Sequence, residues 1–325
     1  MLLKYLRYVT LLKLLNIKSS FINVIPYMNG ARQEQRQKNA LRKEQLKSRI
    51  QHQMIRELYG RHATGVVFDT FNGIMVNSVT DVVINGSLGF AGSYDKIKLT
   101  HLLDGIHSDW CVYIVGAHIG TLVVPIAQKA RKVIAFEANP VTHRFLCWNM
   151  QLNERNNVQV FNCALYNETV ELEFYLNKAN SGGSKIKPVT DNFRYNYDHP
   201  DTVSIQGKRL DDMVREHDLE LPDLVMMDIE GAEYGAIQGA AACLQHAGVL
   251  YIEFAPAHLK EVANISVADF VNAITIYFPY MLIAQLYLTL KGKYYSGGEI
   301  MDILQEYFRK EIPIDLIFLK AAPDF

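Results

Sequence analysis

An α/β fold built on a mostly parallel sheet is what this 325-residue sequence predicts. Strand-type and helix-type runs alternate from residue 111 to 255, the order that builds βαβ units. Inside that region Cys111–Val115 runs into Gly116-Ala117-His118-Ile119-Gly120, an apolar helix-compatible run over 121–130 and a second strand, Lys132–Phe136, ending on Glu137. Farther on, the hydrophobic strand Leu224–Asp228 leads into Ile229-Glu230-Gly231-Ala232-Glu233. With 49% apolar residues the chain has enough material for a sizeable core.

The elements follow in order. Residues 1–61 carry thirteen Lys/Arg against three Asp/Glu, so a basic arm precedes a mildly acidic body. Residues 2–17 are apolar but interrupted by Lys4, Arg7 and Lys13. That run is too short and too charged for a membrane span, and it lacks the small-residue cleavage site of a signal peptide. It reads as a basic amphipathic helix that packs on the body or a second copy, or lies on an anionic membrane. Over 31–59, Leu46, Ile50, Met54 and Leu58 recur every fourth residue, predicting a long helix with one buried stripe. Its charged face carries no interleaved aromatics before Tyr59, so nucleic-acid binding is not expected.

Val66–Val76 reads as a hairpin around Asn72-Gly73, and 95–107 as a helix entering the first core strand. After Glu137 come a helix over Pro140–Asn153, a third strand over Val158–Ala164 and a further strand over 169–176. Residues 180–200, rich in Gly, Ser, Asn, Asp and Tyr, are long enough to be an active-site flap. Helices are expected over Leu210–Leu219, Glu233–His246, Val267–Tyr277 and Ile300–Arg309. Strands are expected over Leu224–Asp228, Val249–Phe254, 281–288 and Ile314–Lys320. The chain then divides into a helical arm, 1–62, a hairpin lead-in, 63–94, and a catalytic body, 95–325.

The glycine loop and Glu137 together describe a nucleoside site. Glycines let backbone approach a ligand, and a carboxylate 21 residues after Gly116 can accept hydrogen bonds from ribose hydroxyls. His118 stands where a dinucleotide loop has its second glycine, which argues against NAD and FAD. No Gly-Lys-Ser/Thr follows, which argues against an ATP phosphate loop. Asp228 ends its strand at the sheet rim where ligands bind, with Glu230 beside it. Glu233 reads more plainly as an acid in a helix's first turn. Cys111, Cys147, Cys163 and Cys243 form no Cys-x-x-Cys pair, so a reducing compartment and no structural zinc are expected.

The glycine loop, Glu137-Ala138-Asn139-Pro140, Asn149 with Asn153, Arg209-Leu210-Asp211-Asp212 and Asp228–Glu233 together resemble the FkbM family of S-adenosylmethionine-dependent methyltransferases. The resemblance covers roughly residues 90–320. It implies a class I methyltransferase, Rossmann-like fold: a seven-stranded sheet with helices on both faces and its last strand antiparallel. It also implies O-methylation of a hydroxyl, commonly on a sugar of a glycan or on a natural product. By resemblance, Gly116, Ala117, His118 and Gly120 would wrap the methionine part of the cofactor. Glu137 would hold the ribose, Ala138, Cys163 and Ala164 would border the adenine, and Asp228 would lie by the sulfonium. The chain departs from the family at Ile114, usually Asp, at His118, usually Asn, and at Met226, often Lys.

A hydroxyl acceptor needs a general base; the candidates are Asp228, then Glu230, then His258. A divalent metal on Asp228 and Glu230 is conceivable, but two acids without further oxygen ligands give it little support. A competing reading is a non-catalytic methyltransferase-like scaffold, with Ile114 and His118 marking a decayed cofactor site and the basic arm serving assembly. The expected location is cytoplasmic, with peripheral membrane contact through 1–61 or self-association through the N-terminal helices as further possibilities.

Overall fold

The computed structural model describes residues 30–284 and 293–322. The amphipathic segment 2–17 lies outside them, as does the second half of the strand expected over 281–288. A helix spans Gly30–Tyr59. The hairpin of β1 (Gly65–Thr70) and β2 (Gly73–Ser78) follows, then short helical turns over Val82–Gly86 and Ser87–Ala91 and a helix over Lys96–Gly105. The βαβ unit is present: β3 (Cys111–Val115), a helix over Val123–Lys129 and β4 (Lys132–Phe136). After the helix Pro140–Leu152 come β5 (Val158–Phe161), β6 (Ala164–Leu165), β7 (Val170–Leu176), β8 (Lys185–Ile186) and β9 (Asp201–Lys208). The body closes with β10 (Leu224–Met227), β11 (Val249–Phe254), β12 (Tyr280–Ile283), β13 (Tyr295–Ser296) and β14 (Ile314–Leu319), separated by helices.

The main sheet has the order β13-β12-β14-β11-β10-β3-β4-β5. Strands β5, β4, β3, β10 and β11 run parallel. The last strand, β14, inserts antiparallel between β11 and β12. Seven of these strands are the expected sheet, and β13 adds a two-residue eighth at the edge. Residues of β3 alternate between two cores. Cys111, Tyr113 and Val115 pack with the helices that follow β9 and β10. Val112 and Ile114 face the helices Lys96–Gly105, Val123–Lys129 and Pro140–Leu152. Burial on both faces is why these strands read as unbroken apolar runs.

Several expectations are corrected. The third strand does not run to Ala164. Asn162 donates to the carbonyls of Glu137 (2.7 Å) and Ala138 (3.2 Å), turning the chain so that Ala164–Leu165 joins another sheet. That four-stranded sheet, β6-β9-β7-β8, contains β9, whose polar outer residues hid it. The hairpin loop is Phe71–Asn72 and not Asn72–Gly73, because Thr70 pairs with Gly73. Asn72 is buried and bonds the carbonyls of Tyr94 and Thr121. The helix over Glu233–His246 is two, Glu233–Gln238 and Ala241–His246, broken where a side chain at Gly239 would strike the Tyr166 carbonyl at 2.1 Å.

The stripe on the long helix is also corrected. Of Leu46, Ile50, Met54 and Leu58 only Ile50 is buried, and Leu46 and Leu58 are exposed. The helix docks instead through polar side chains. Ser48 Oγ donates to the Thr80 carbonyl (2.6 Å) and Gln51 Nε2 to the Val79 carbonyl (2.8 Å). Among the described residues no helix is long and apolar enough to cross a membrane.

Candidate active site

The strands β3, β4 and β10 end side by side, and their loops enclose a cleft of about 550 Å³ including its open mouth. Gly116, His118, Glu137, Ala138, Cys163, Ala164, Asp228 and Glu230 all line it. Ala117 and Gly120 do not. Ala117 is buried, and its N–H donates to the Phe136 carbonyl at 3.0 Å. Gly120, at φ +94°, packs against Leu146 and Met150.

The reason for the glycine at 116 differs from the sequence reading. Its φ is +85°, and a Cβ there would sit 2.0 Å from the Asp228 carbonyl. Crossing of the neighbouring strand's loop, not ligand approach, already demands glycine. His118 has φ +52°, a left-handed conformation in which Asn, Asp and His are the usual non-glycine residues. That backbone requirement explains why His can stand where Asn is usual.

Glu137 ties the loops together. Its carboxylate accepts the N–H of His118 (2.6 Å), the N–H of Asn139 (2.8 Å) and the Thr142 hydroxyl (2.9 Å). Burial pushes its pKa up while these three donors oppose the rise. An oxygen that accepts only the His118 N–H retains a lone pair for a ligand hydroxyl.

Asp228 and Glu230 have different settings. Lys98, from the helix Lys96–Gly105, reaches both Asp228 (3.4 Å) and Asp315 on β14 (3.2 Å). The Asp228 side chain is 45% exposed, but to a concave cleft ringed by protein. That desolvation raises its pKa; Lys98 opposes, and Glu230 and Asp315 add to the rise. Glu230, at φ +57°, meets Lys185 from β8 at 2.8 Å and His258 Nε2 at 3.3 Å. Against the effect of burial, Lys185 and then His258 hold its carboxyl below the usual range.

His258 does not line the cleft; it stands behind Glu230, and burial lowers its pKa to about 4. Its Nδ1 and Glu253 Oε2 face each other at 4.0 Å, and both lack hydrogen-bond partners among the described residues. Burial, then Asp228 and Glu230, push the Glu253 carboxyl well up. Glu233 bonds the N–H groups of Ile229 (2.9 Å) and Gly231 (3.0 Å), fixing the turn that carries Glu230. Among the described residues no group of three His, Cys, Asp or Glu is gathered as a metal site.

The flap expected over 180–200 roofs the cleft with Ser181, Gly182, Ser184 and Ile186. Its two tyrosines are not available to stack on a ligand. Tyr195 is 3% exposed and Tyr197 6%, and the Tyr197 hydroxyl donates to Glu44 of the long helix at 3.2 Å. Lys98, Lys185 and Ser181 were not singled out from the sequence. Each arrives from an element far away along the chain, so no local spacing marks it.

A family model described as the methyltransferase FkbM domain matches residues 115–307. The chain belongs to the FkbM methyltransferase family. The cofactor of this FkbM methyltransferase is S-adenosylmethionine. Its cleft has a lining that suits such a molecule: an apolar wall including Ala138, Cys163, Ala164 and Ile186 for a purine, and an acceptor lone pair on Glu137 for ribose hydroxyls.

Solved structures are similar in part. TYW2 of M. jannaschii in complex with AdoMet is 13% identical, with 79% of this chain and 85% of that one covered and a TM-score of 0.40. Trm5b of Pyrococcus abyssi is 14% identical, with 80% and 57% covered and a TM-score of 0.42. The precorrin-6y C5,15-methyltransferase of Geobacter metallireducens is 11% identical, with 70% and 93% covered and a TM-score of 0.37. No curated protein matches the chain.

Proposed function

We propose that this methyltransferase acts on a hydroxyl oxygen of an uncharged, hydroxyl-rich acceptor, a sugar of a glycan or of a glycosylated natural product. The observation that carries the reading is the Asp228 carboxyl, 45% exposed, in the cleft that Glu137 and His118 also line. Near it stand Glu230 and Asp315, with Lys98 and Lys185 as the cations that contact these three acids. Carboxyls therefore outnumber ammoniums. A phosphorylated sugar or a nucleic acid would meet like charge there, whereas sugar hydroxyls can donate to carboxylates.

The bound cofactor supplies an electrophilic sulfonium methyl. Glu137 would hold the ribose hydroxyls, and Ala138, Cys163 and Ala164 would border the adenine. Gly116 and His118 would meet the methionine end, whereas Ala117 and Gly120 do not line the cleft. Asp228 would take the acceptor proton as general base, since its carboxyl is in the cleft and its pKa is raised toward working pH. Glu230, already paired with Lys185, would orient the acceptor. His258 would act through Glu230 and not on the acceptor itself, because its Nε2 lies against Glu230 and Lys185.

The test is methyl transfer from radiolabelled S-adenosylmethionine to neutral and phosphorylated glycan panels, with cofactor binding measured by calorimetry. Asp228→Asn should lower kcat about 10²–10⁴-fold, the usual worth of a positioned base, and change cofactor affinity little. Label transfer only to anionic acceptors, or full turnover by Asp228→Asn, would overturn the reading.

A further inference from the structure

One fully buried acid anchors the roof of the cleft to the glycine loop. Asp81 is 0% exposed. Its Oδ1 accepts the N–H of Ile84 and its Oδ2 the N–H of Ser181, each at 3.0 Å. The Ser181 hydroxyl also donates to Oδ2. A serine hydroxyl has one proton, so the same oxygen meets His118 Nε2, 2.6 Å away, as an acceptor. Nε2 must then carry the imidazole proton. Burial keeps the ring neutral, its pKa lowered to about 4, so Nδ1 is left with a bare lone pair. His118 lines the cleft, and Nδ1 has no hydrogen-bond partner among the described residues.

We propose that Asp81 and Ser181 are positioning residues for cofactor recognition: they fix the tautomer of His118 so that Nδ1 accepts a hydrogen bond from the α-ammonium group of S-adenosylmethionine. The proposal rests on the cofactor reading of the cleft. An ammonium taken out of water needs acceptors. The apolar Ile114, 2% exposed, offers none. The Glu137 carboxylate is engaged by three donors, and its remaining lone pair is the one the ribose hydroxyls take in that reading. The His118 ring stands on the loop that faces the methionine end and has an acceptor to give. Its direction is set by a chain of hydrogen bonds that begins at a buried carboxylate, so it does not depend on solvent.

The test compares two ligands by calorimetry: S-adenosylhomocysteine, and 5′-methylthioadenosine, which keeps the nucleoside and sulfur but lacks the amino-acid part. Ser181→Ala frees the tautomer. Asp81→Asn removes the carboxylate that holds the Ser181 hydroxyl, so the hydroxyl can turn toward Nε2 and the ring proton move to Nδ1. Both substitutions should weaken S-adenosylhomocysteine about tenfold or more, the loss of one hydrogen bond to a charged group, and leave 5′-methylthioadenosine unchanged. Ser181→Thr should keep both affinities. Nitrogen-15 spectra of His118 should show Nε2–H in the wild type and Nδ1–H in Asp81→Asn, a change that a purely structural role would not produce. Equal losses for both ligands, or an intact S-adenosylhomocysteine affinity with the tautomer reversed, would overturn the proposal. Wild-type protein that binds neither ligand would sink the cofactor reading and the proposal with it.

Discussion

Single side chains in this protein serve geometry and chemistry together. Glu137 accepts donors from the glycine loop, from the turn after β4 and from the following helix. Glu137→Ala is expected to weaken cofactor binding by about one to two orders of magnitude through loss of charge-assisted hydrogen bonds; an unchanged Kd in calorimetry would remove it from the ribose site. Lys98 controls the charge of Asp228. Burial raises the Asp228 pKa and the Lys98 ammonium opposes the rise, so removing that charge raises it further. The base is then deprotonated only at higher pH. Lys98→Met should therefore move the acid limb of the kcat profile to higher pH, and a limb that stays in place or moves down would rule out Asp228 as the titrating base. The same change leaves Asp228 and Asp315 without this cation and should cost up to about 3–5 kcal/mol in stability.

Between elements, the most informative joint is the one that Asn149 and Asn153 make with the hairpin. Asn149 accepts the N–H of Val76 (2.7 Å) and donates to the Val76 carbonyl (3.1 Å) and the Ile119 carbonyl (2.7 Å). Asn153, one helical turn on, does the same with the N–H (2.9 Å) and carbonyl (2.7 Å) of Ile74. A turn of helix rises about 6 Å for four residues, and two residues of strand about 6.6–6.8 Å. Paired asparagines can thus serve β2 as an additional strand edge. Asn149 is fully buried and Asn153 is not. Asn149→Ala should cost about 2–4 kcal/mol, since it strands buried backbone groups, and Asn153→Ala about 1 kcal/mol. Urea titrations read the difference, and equal costs would refute the argument from burial. Because Asn149 also holds Ile119, the larger loss should weaken cofactor binding as well.

At the scale of the whole molecule, the long N-terminal helix is continuous with the walls of the cleft. Ser48 and Gln51 bond the Val79–Thr80 segment beside Asp81, and Glu44 receives the Tyr197 hydroxyl from the flap. A chain beginning at residue 63 should show a lower thermal midpoint and weaker S-adenosylhomocysteine binding than the full chain; identical values would show the helix to be a mere appendage. The βαβ unit was legible because a parallel strand buried on both faces must be apolar throughout, and its turn needs glycine. Asp228 and Glu230 were legible because acids at the end of such a strand have few structural uses. The main sheet, the glycine loop and the family can therefore be read from the residues alone. Packing alone sets Gly116 against the Asp228 carbonyl, puts His258 behind Glu230, and brings Lys98, Lys185, Asp81 and Ser181 to the site. Those contacts join residues 28 to 130 positions apart, and neither periodicity nor spacing records which distant side chains packing will bring to the same few ångströms.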